Sequence, residues 1–340
     1  MNTQEHVIGI DIGTGSARAG LFNRTGRLLG TAKAPIAMNR PAEHHVEQST
    51  SDIWRAVCDA TRHAVAEAQV TPETVKGISV SATCSLVLLD AEHAPLALSP
   101  GEQAWNIIVW MDHRAIAEAA ECTATGAAPL RNLGGVMSPE MQIPKLMWLK
   151  RHRPELYQRI GYAGDLGDWL GFQCTGSTER SVCMLACKWT FDPRPGHGWD
   201  RDFLSRVDMQ DVTDRARLPD QAQPVGAPLG PLSEAAAADL GLTTDCTFAV
   251  GMIDAYAGAL GTLGRSLTDA PQRRLAVIGG TSTCHIGAQP ERREVPGVWG
   301  PYPGALGDGF QVQRQRGAAD PHHPAVTTDQ IADEHRFVEL

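Results

Sequence analysis

Apolar residues alternate with small or polar ones over residues 7–12 and again over 16–22. That period of two predicts two strands joined at Thr14-Gly15. "GRLLGTAKAPI" continues the meander as a third strand. The period then changes. In "EQSTSDIWRAVCDATRHAVAEAQV" a Ser/Thr cap precedes Ile53, Trp54, Val57, Ala60, Ala64, Val65 and Ala68, which recur at helical spacing. "VKGISVSA", "SLVLLD" and "NIIVWMD" read as strands, and "DHRAIAEAAE" as a helix with Asp112 at its cap. Residues 139–152 and 154–160 read as helices broken at Pro154. From Asp192 to Leu232, Pro, Gly, Asp and Arg accumulate, which predicts loop with short helices. "SEAAAADLGL" is a helix ended by Gly241. "CTFAVGMIDAYAGALGTLG" passes from strand through a turn into a helix, and "RRLAVIGGTSTCHIGA" is strand, glycine turn, strand. The pattern is α/β, with strands entering glycine corners near both ends.

Length and composition narrow the classes. A chain of 340 residues is long for one core, so two domains are expected. The net charge of −9 and the lack of a Lys/Arg run argue against nucleic-acid binding. No stretch reaches the ~18 unbroken apolar residues of a membrane helix. "MNTQEH" lacks the layout of a secretory signal, so a cytoplasmic protein is expected. The eight cysteines are scattered without a CxxC, and Cys183 and Cys187 have no second pair beside them. Reduced thiols account for them better than a metal site.

The corners carry the chemistry. In "VIGIDIGTGSARAGLF", Gly13 and Gly15 fit a dinucleotide loop, but Arg18 takes the place of its last glycine. "SARAGLF" alternates, so the corner is a hairpin. Its backbone N–H groups can still cradle phosphate oxygens, and Asp11 can position a metal-bound water. A plain hairpin with an Asp-capped turn remains the other reading. "IGGTSTCHIG" repeats the design with Gly279, Gly280, Thr281 and Ser282. Two such hairpins far apart suggest duplicated halves with a nucleotide between them. Between them lies "GMIDAYAGALG", where Asp254 follows a strand and precedes small residues. An aspartate there can accept a hydroxyl proton during phosphoryl transfer, or cap a helix, or both.

These segments together resemble the FGGY family of carbohydrate kinases, of the actin-like ATPase superfamily. "IGIDIGTGSARAGLF", "EQSTSDIW", "WMDHRA", "SPEMQIPKLMWLK", "CKWTFD", "GMIDAYAGALG" and "IGGTSTCHI" occur in the family's order over about residues 6–310. "TCSLV" is similar to the signature of the D-ribulokinase branch. The resemblance implies an α/β, ribonuclease H-like fold with domain I complete over 6–264. It implies that domain II is only begun, over 265–310. It also implies transfer of phosphate from ATP, with Mg²⁺, to the terminal hydroxyl of a pentulose. Asp254 would be the general base. Asp11, Gly13 and Thr14, with Gly15 and Ser16 of the same loop, would surround the γ-phosphate, with Asp11 reaching Mg²⁺ through water. Gly279, Gly280, Thr281 and Ser282 would take the β-phosphate side. Lys188 and Asp112, with Arg114, would contact sugar hydroxyls, and Thr83 and Cys84 would line that pocket. Lys188 would be held against Trp189, its neighbour in sequence. Bland readings stand beside these roles: a surface lysine for Lys188, a helix cap for Asp112, and ordinary histidines for His113 and His285.

The match stops after "GALGDGF". The following 30 residues turn to Gln, Arg, His, Pro and Asp, which predicts a disordered tail over 311–340 that is not family sequence. The expectation is a shortened kinase with weak or absent turnover, lacking part of its sugar site and its adenine pocket. Residues 265–310 are expected to be unable to enclose a core of their own. Two other readings stay open. One is a kinase for L-ribulose, xylulose, ribitol or glycerol; the other is a sugar-binding remnant without catalysis. The expected partners are a pentulose and ATP, with no nucleic acid and no membrane, and a homodimer is compatible with the sequence.

Overall fold

Ile8, Ile10 and Ile12 alternate along the first strand and fall on one buried face, while Val7 on the other face is exposed. That strand, β1 (His6–Gly13), turns at Thr14-Gly15 into β2 (Ser16–Asn23), and β3 (Leu28–Pro35) completes an antiparallel meander. The computed structural model describes residues 5–264, 266–269, 274–279 and 283–307, and the backbone of 310–316. Residues 280–282, which hold the second glycine-and-threonine motif, and 317–340 of the expected tail lie outside the described residues.

Beside β1 lies β5 (Val75–Ala82), parallel to it, then β10 (Thr247–Ile253), parallel again, and β9 (Pro228–Pro231) closes the edge antiparallel. The six strands run in the order β3-β2-β1-β5-β10-β9. A second sheet, β4-β7-β6-β8, is built from β4 (Glu47–Gln48), β6 (Leu86–Leu89), β7 (Ile107–Ile108) and β8 (Tyr162–Asp165). A third, β11-β12-β14-β13, is built from β11 (Leu275–Gly279), β12 (Thr283–Gln289), β13 (Trp299–Pro303) and β14 (Phe310–Arg316).

The described helices are α1 (Thr50–Ala68), α2 (Ile116–Ala124), α3 (Gln142–His152), α4 (Pro154–Arg159), α5 (Leu166–Thr175), α6 (Val182–Lys188), α7 (Arg201–Arg206), α8 (Val212–Arg215), α9 (Glu234–Leu240), α10 (Asp254–Leu263) and α11 (Ser266–Asp269). Helix α1 lays Ile53, Ala56, Val57, Ala60 and Ala64 against the main sheet, as its spacing predicts. The helix after Asp112 starts later than expected. Its first residue is Ile116, its N-cap position is Ala115, and Asp112 is not its cap.

The third sheet borrows its core. Ala276, Cys284, Ile286, Tyr302 and Ala305 pack in one cluster with Cys183, Leu185 and Cys187 of α6 and Tyr256 and Ala259 of α10. So the described residues of this region pack onto α6 and α10 rather than around a core of their own. The tail boundary is corrected as well. Residues 311–316 do not begin a disordered segment, because β14 pairs on one side with β12 and on the other with β13.

One glycine fixes where the functional end of β10 lies. The β10–β5 register shifts between Ala249 and Met252, and a Cβ at Gly251 would stand 2.2 Å from the Val80 carbonyl oxygen. Gly251→Ala must push β10 off β5. Its expected cost is about 3 kcal/mol, the upper part of the overpacking range. A thermal melt reads this as a Tm lower by several degrees; an unchanged Tm would contradict the close approach.

Candidate active site

The ends of β1, β5 and β10 lie level. Ile12 pairs with Ala82, and Ala82 with Ile253, so Asp254 follows directly in the row that holds the first hairpin. Adjacent strands are ~4.8 Å apart, which puts two strand spacings between the backbones of Ile12 and Ile253.

On the hairpin side, the Asp11 carboxylate accepts from Arg18 Nη1 at 2.7 Å and from Ser81 Oγ at 3.1 Å, and it stays part-exposed. The turn is braced from below. Gln48 Nε2 donates to the Thr14 carbonyl at 2.7 Å, and Trp110 Nε1 donates to Thr14 Oγ1 at 3.0 Å. Gly15 has open space where a side chain would stand, and Gly13 keeps only ordinary contact with Arg18 and the Ser16 carbonyl. The turn can therefore take an incoming group against its backbone. Ser16 is buried on β2 opposite Gly13, so its hydroxyl is not presented at the open turn.

Asp254 is the first residue of α10, with Ile253 at the N-cap position. Its Oδ1 accepts from the Ala255 N–H at 2.7 Å, the neighbouring residue rather than the second or third turn N–H that a capping side chain reaches. Burial lifts its pKa to about 6. The Ala255 N–H opposes the lift, the Asp11 charge adds to it and Lys188 works against it. A carboxylate held near 6 is still ionised at neutral pH yet basic enough to take a proton.

Lys188 closes α6 and is buried. Its Nζ is 3.9 Å from Glu140 Oε2 and 4.8 Å from the ring centroid of Trp299. The aromatic face is thus Trp299 of β13 and not Trp189. The Trp189 indole turns away and donates to Asp165 Oδ2 at 2.5 Å. Burial pulls the Lys188 pKa down, but the Glu140 carboxylate and a hydrogen bond to the Cys84 sulfur act against it, and the net direction is upward. Burial also pushes the Cys84 thiol up to about 12, so it is protonated at neutral pH. Thr83 sits at the end of β5, its N–H on the Ile12 carbonyl at 3.0 Å and its hydroxyl 3.1 Å from Ser85 Oγ.

Asp112 and Arg114 are occupied with each other. Arg114 Nε and Nη2 grip both oxygens of Asp112 at 2.8–3.1 Å, and Nη2 also reaches Glu47 Oε1 at 3.0 Å. Asp112 Oδ2 takes the Val46 N–H as well, at 2.6 Å. The side chains of Asp112, Arg114 and Glu47 are no more than 2% exposed. This closed triad leaves no face for a sugar hydroxyl; it ties the segment before α2 to β4.

Residues 6–261 match the N-terminal domain of the FGGY family of carbohydrate kinases. The chain belongs to the FGGY family. It is 41% identical over 320 residues to the human FGGY carbohydrate kinase domain-containing protein, covering 90% of this chain and 57% of that one. It is 38% identical over 335 residues to the D-ribulokinase of Saccharomyces cerevisiae, covering 89% and 47%. The structure superposes on xylulose kinase from Rhodospirillum rubrum with a TM-score of 0.75 at 20% identity, over 92% of this chain and 60% of that one. The chain thus spans about half the length of the curated relatives it matches. The fold is the α/β fold of the FGGY kinases.

Four residues of this FGGY site escaped the sequence reading. Glu140 faces Lys188, its Oε2 is buried without a hydrogen-bond donor among the described residues, and its Oε1 is 3.6 Å from His113 Nε2. Trp110 braces Thr14 through its indole and Ser85 through its N–H. Lys145 is fully buried and donates to the Val109 and Trp110 carbonyls at 3.0 and 3.5 Å; burial lowers its pKa to about 8. Asp165, lifted by burial to about 6, accepts from both Trp189 and Gln142. Glu140 and Lys145 stand in "SPEMQIPKLMWLK", where a glutamate and a lysine amid apolar residues were the available signal.

Proposed function

We propose that this chain carries the sugar-binding and first phosphate-binding parts of an ATP-dependent pentulose kinase whose substrate is D-ribulose, phosphorylated at its terminal hydroxyl. The observation that supports the reading is that Asp254 follows β10 level with the end of β1 and feels the charges of both Asp11 and Lys188. The printed name of the yeast relative, D-ribulokinase, supports the choice of sugar.

In this reading Lys188 and Glu140 hold the sugar, one donating and one accepting, in a pocket walled by Thr83 and Cys84. Charged partners suit a ligand that offers only hydroxyl and carbonyl groups. Asp254 accepts the proton of the terminal hydroxyl as its oxygen bonds to the γ-phosphorus; the bond from that phosphorus to the bridging oxygen breaks, and ADP leaves. The Thr14-Gly15 turn holds the γ-phosphate side. Gly279 ends β11, and Gly280, Thr281 and Ser282 are proposed for the β-phosphate side. The first unit is assigned to residues 6–264, and the protein to the cytoplasm.

A magnesium ion fits this mouth in one way. No group of three or more His, Cys, Asp or Glu that could hold a metal occurs among the described residues. Asp11 and Asp254 act on each other electrostatically. Such a pair suits an ion that keeps most of its waters and rides on ATP, with Asp11 reaching it through water. When bound, Mg²⁺ neutralises charge on the transferring phosphate.

The test is a calorimetric titration of the chain with D-ribulose, L-ribulose, D-xylulose, ribitol and glycerol. D-ribulose is expected to bind at least about tenfold more tightly than the others, a difference of 1.4 kcal/mol. Tighter binding of another sugar, or of none, would remove D-ribulose as the substrate.

A further inference from the structure

The sugar lysine is held by a residue from the far end of the chain. Lys188 Nζ has the Trp299 ring on one side at 4.8 Å and Glu140 Oε2 on another at 3.9 Å, and the side chain is 6% exposed. A buried ammonium offers three N–H donors that need acceptors. A ring face attracts the cation without consuming a donor in a directed bond, so the group stays in place and keeps a donor for a ligand oxygen.

Trp299 is in turn fixed by the first unit. It forms a β-bridge with Leu133, and Gly297 N donates to the Gly134 carbonyl at 3.1 Å. Gly134 has φ +68, and a Cβ there would stand 2.8 Å from Val298 N and 2.9 Å from Gly297 N. Only glycine lets the start of β13 seat this closely against the turn that follows Ala128–Asn132.

We propose that Trp299 is a positioning residue that sets the Lys188 ammonium in the sugar pocket, so that the pocket is complete only when β13 is seated on the Gly134 turn. This deepens the pentulose reading and rests on it for the ligand, while the placement of Lys188 can be read without any ligand.

Two measurements test it. The chain has five lysines, so a ¹³C-lysine spectrum is assignable by substitution. The Lys188 Cε protons are expected to be shifted upfield by the indole, to stay shifted in Trp299→Phe, and to lose the shift in Trp299→Leu and in Gly134→Ala. An unshifted Lys188 signal in the unsubstituted chain, or one indifferent to Trp299→Leu, would overturn the proposal. A shift that survives Gly134→Ala would overturn the seating.

The second measurement is calorimetry with D-ribulose. Trp299→Leu is expected to weaken binding about tenfold and Trp299→Phe less than threefold. On a Lys188→Met background Trp299→Leu should add nothing, because the ring acts through the ammonium. An equal loss on both backgrounds would refute that route. Failure of the unsubstituted chain to bind D-ribulose would defeat the substrate reading alone, and the lysine spectrum would still decide this one.

Discussion

Asp254→Asn is expected to lower turnover of D-ribulose and Mg-ATP by about 10²–10⁴ relative to the unsubstituted chain, the range for loss of a general base. Sugar affinity should change less than threefold, because the proposed sugar contacts of Lys188 and Glu140 are untouched. That split between kcat and binding separates a base from a binding group. The pH dependence is equally specific. A base that titrates at about 6 must be ionised to act, so kcat should climb tenfold per pH unit below 6 and level off above 7. The residual rate of the Asn chain should be flat over the same span.

The same carboxylate costs stability, and the sign follows from its raised pKa. Below the ordinary value of 3.8 it is protonated in both folded and unfolded chains, and it costs nothing. Between 3.8 and about 6 the unfolded chain gives up the proton first, and the penalty grows. Above 6 the penalty is complete. Asp254→Asn should therefore raise Tm at pH 7.5, and the two melting curves should converge towards pH 4. A destabilised Asn chain at pH 7.5 would mean that the helix-start role outweighs the burial of charge.

The largest expected loss of stability comes from Arg114. Replacing it by Met leaves the Asp112 and Glu47 carboxylates buried with no cation between them. Removing one partner of a buried ionic group typically costs 3–5 kcal/mol, roughly the scale expected here. The guanidinium also stacks 5.0 Å from the Trp148 ring centroid, a contact that a lysine cannot reproduce as a fork. Arg114→Lys should fall between the two. Chemical or thermal melts read the loss. Under conditions where the variants stay folded, D-ribulose affinity should be within twofold of the unsubstituted chain. A tenfold loss of affinity with an unchanged melt would instead return Arg114 to the sugar site.

Arg114 also illustrates what a sequence can and cannot say. The motif "WMDHRA" marks Asp112 and Arg114 as a unit, but whether they face a ligand or each other depends on Glu47 and Val46, which arrive from 66 and 67 residues away. Likewise Trp299 reaches Lys188 across more than a hundred residues, while the neighbour Trp189 turns to Asp165. Nothing local signals either contact. By contrast, the first hairpin and the β10–α10 corner are legible, because each is a local change of period with a special residue at the break.

Where period fails, elements are missed. Helices α5 and α6 are buried on nearly every side, so "LGDWLGFQCT" and "VCMLACK" have no polar face to mark a helical stripe. β8 is four residues buried throughout, and β4 is only two residues long. The misjudged start of the tail has a similar cause. "FQVQRQR" holds only Phe310 and Val312 as apolar residues, yet its backbone is paired on both edges. A central strand can be held by its ladder without an apolar signature.

The central proposal is that Asp254, which follows β10 level with the first hairpin, is the base for phosphate transfer to the end of a pentulose. The most direct measurement is ³¹P spectroscopy of the sugar recovered after incubation of the chain with D-ribulose and Mg-ATP, compared with authentic 1- and 5-phosphates. The account predicts the 5-phosphate from the unsubstituted chain and none above background from Asp254→Asn in the same time. Phosphate at another position, or equal product from both chains, would contradict it, and turnover within tenfold of a typical kinase (~1–100 s⁻¹) would contradict the weak activity expected of the shortened chain.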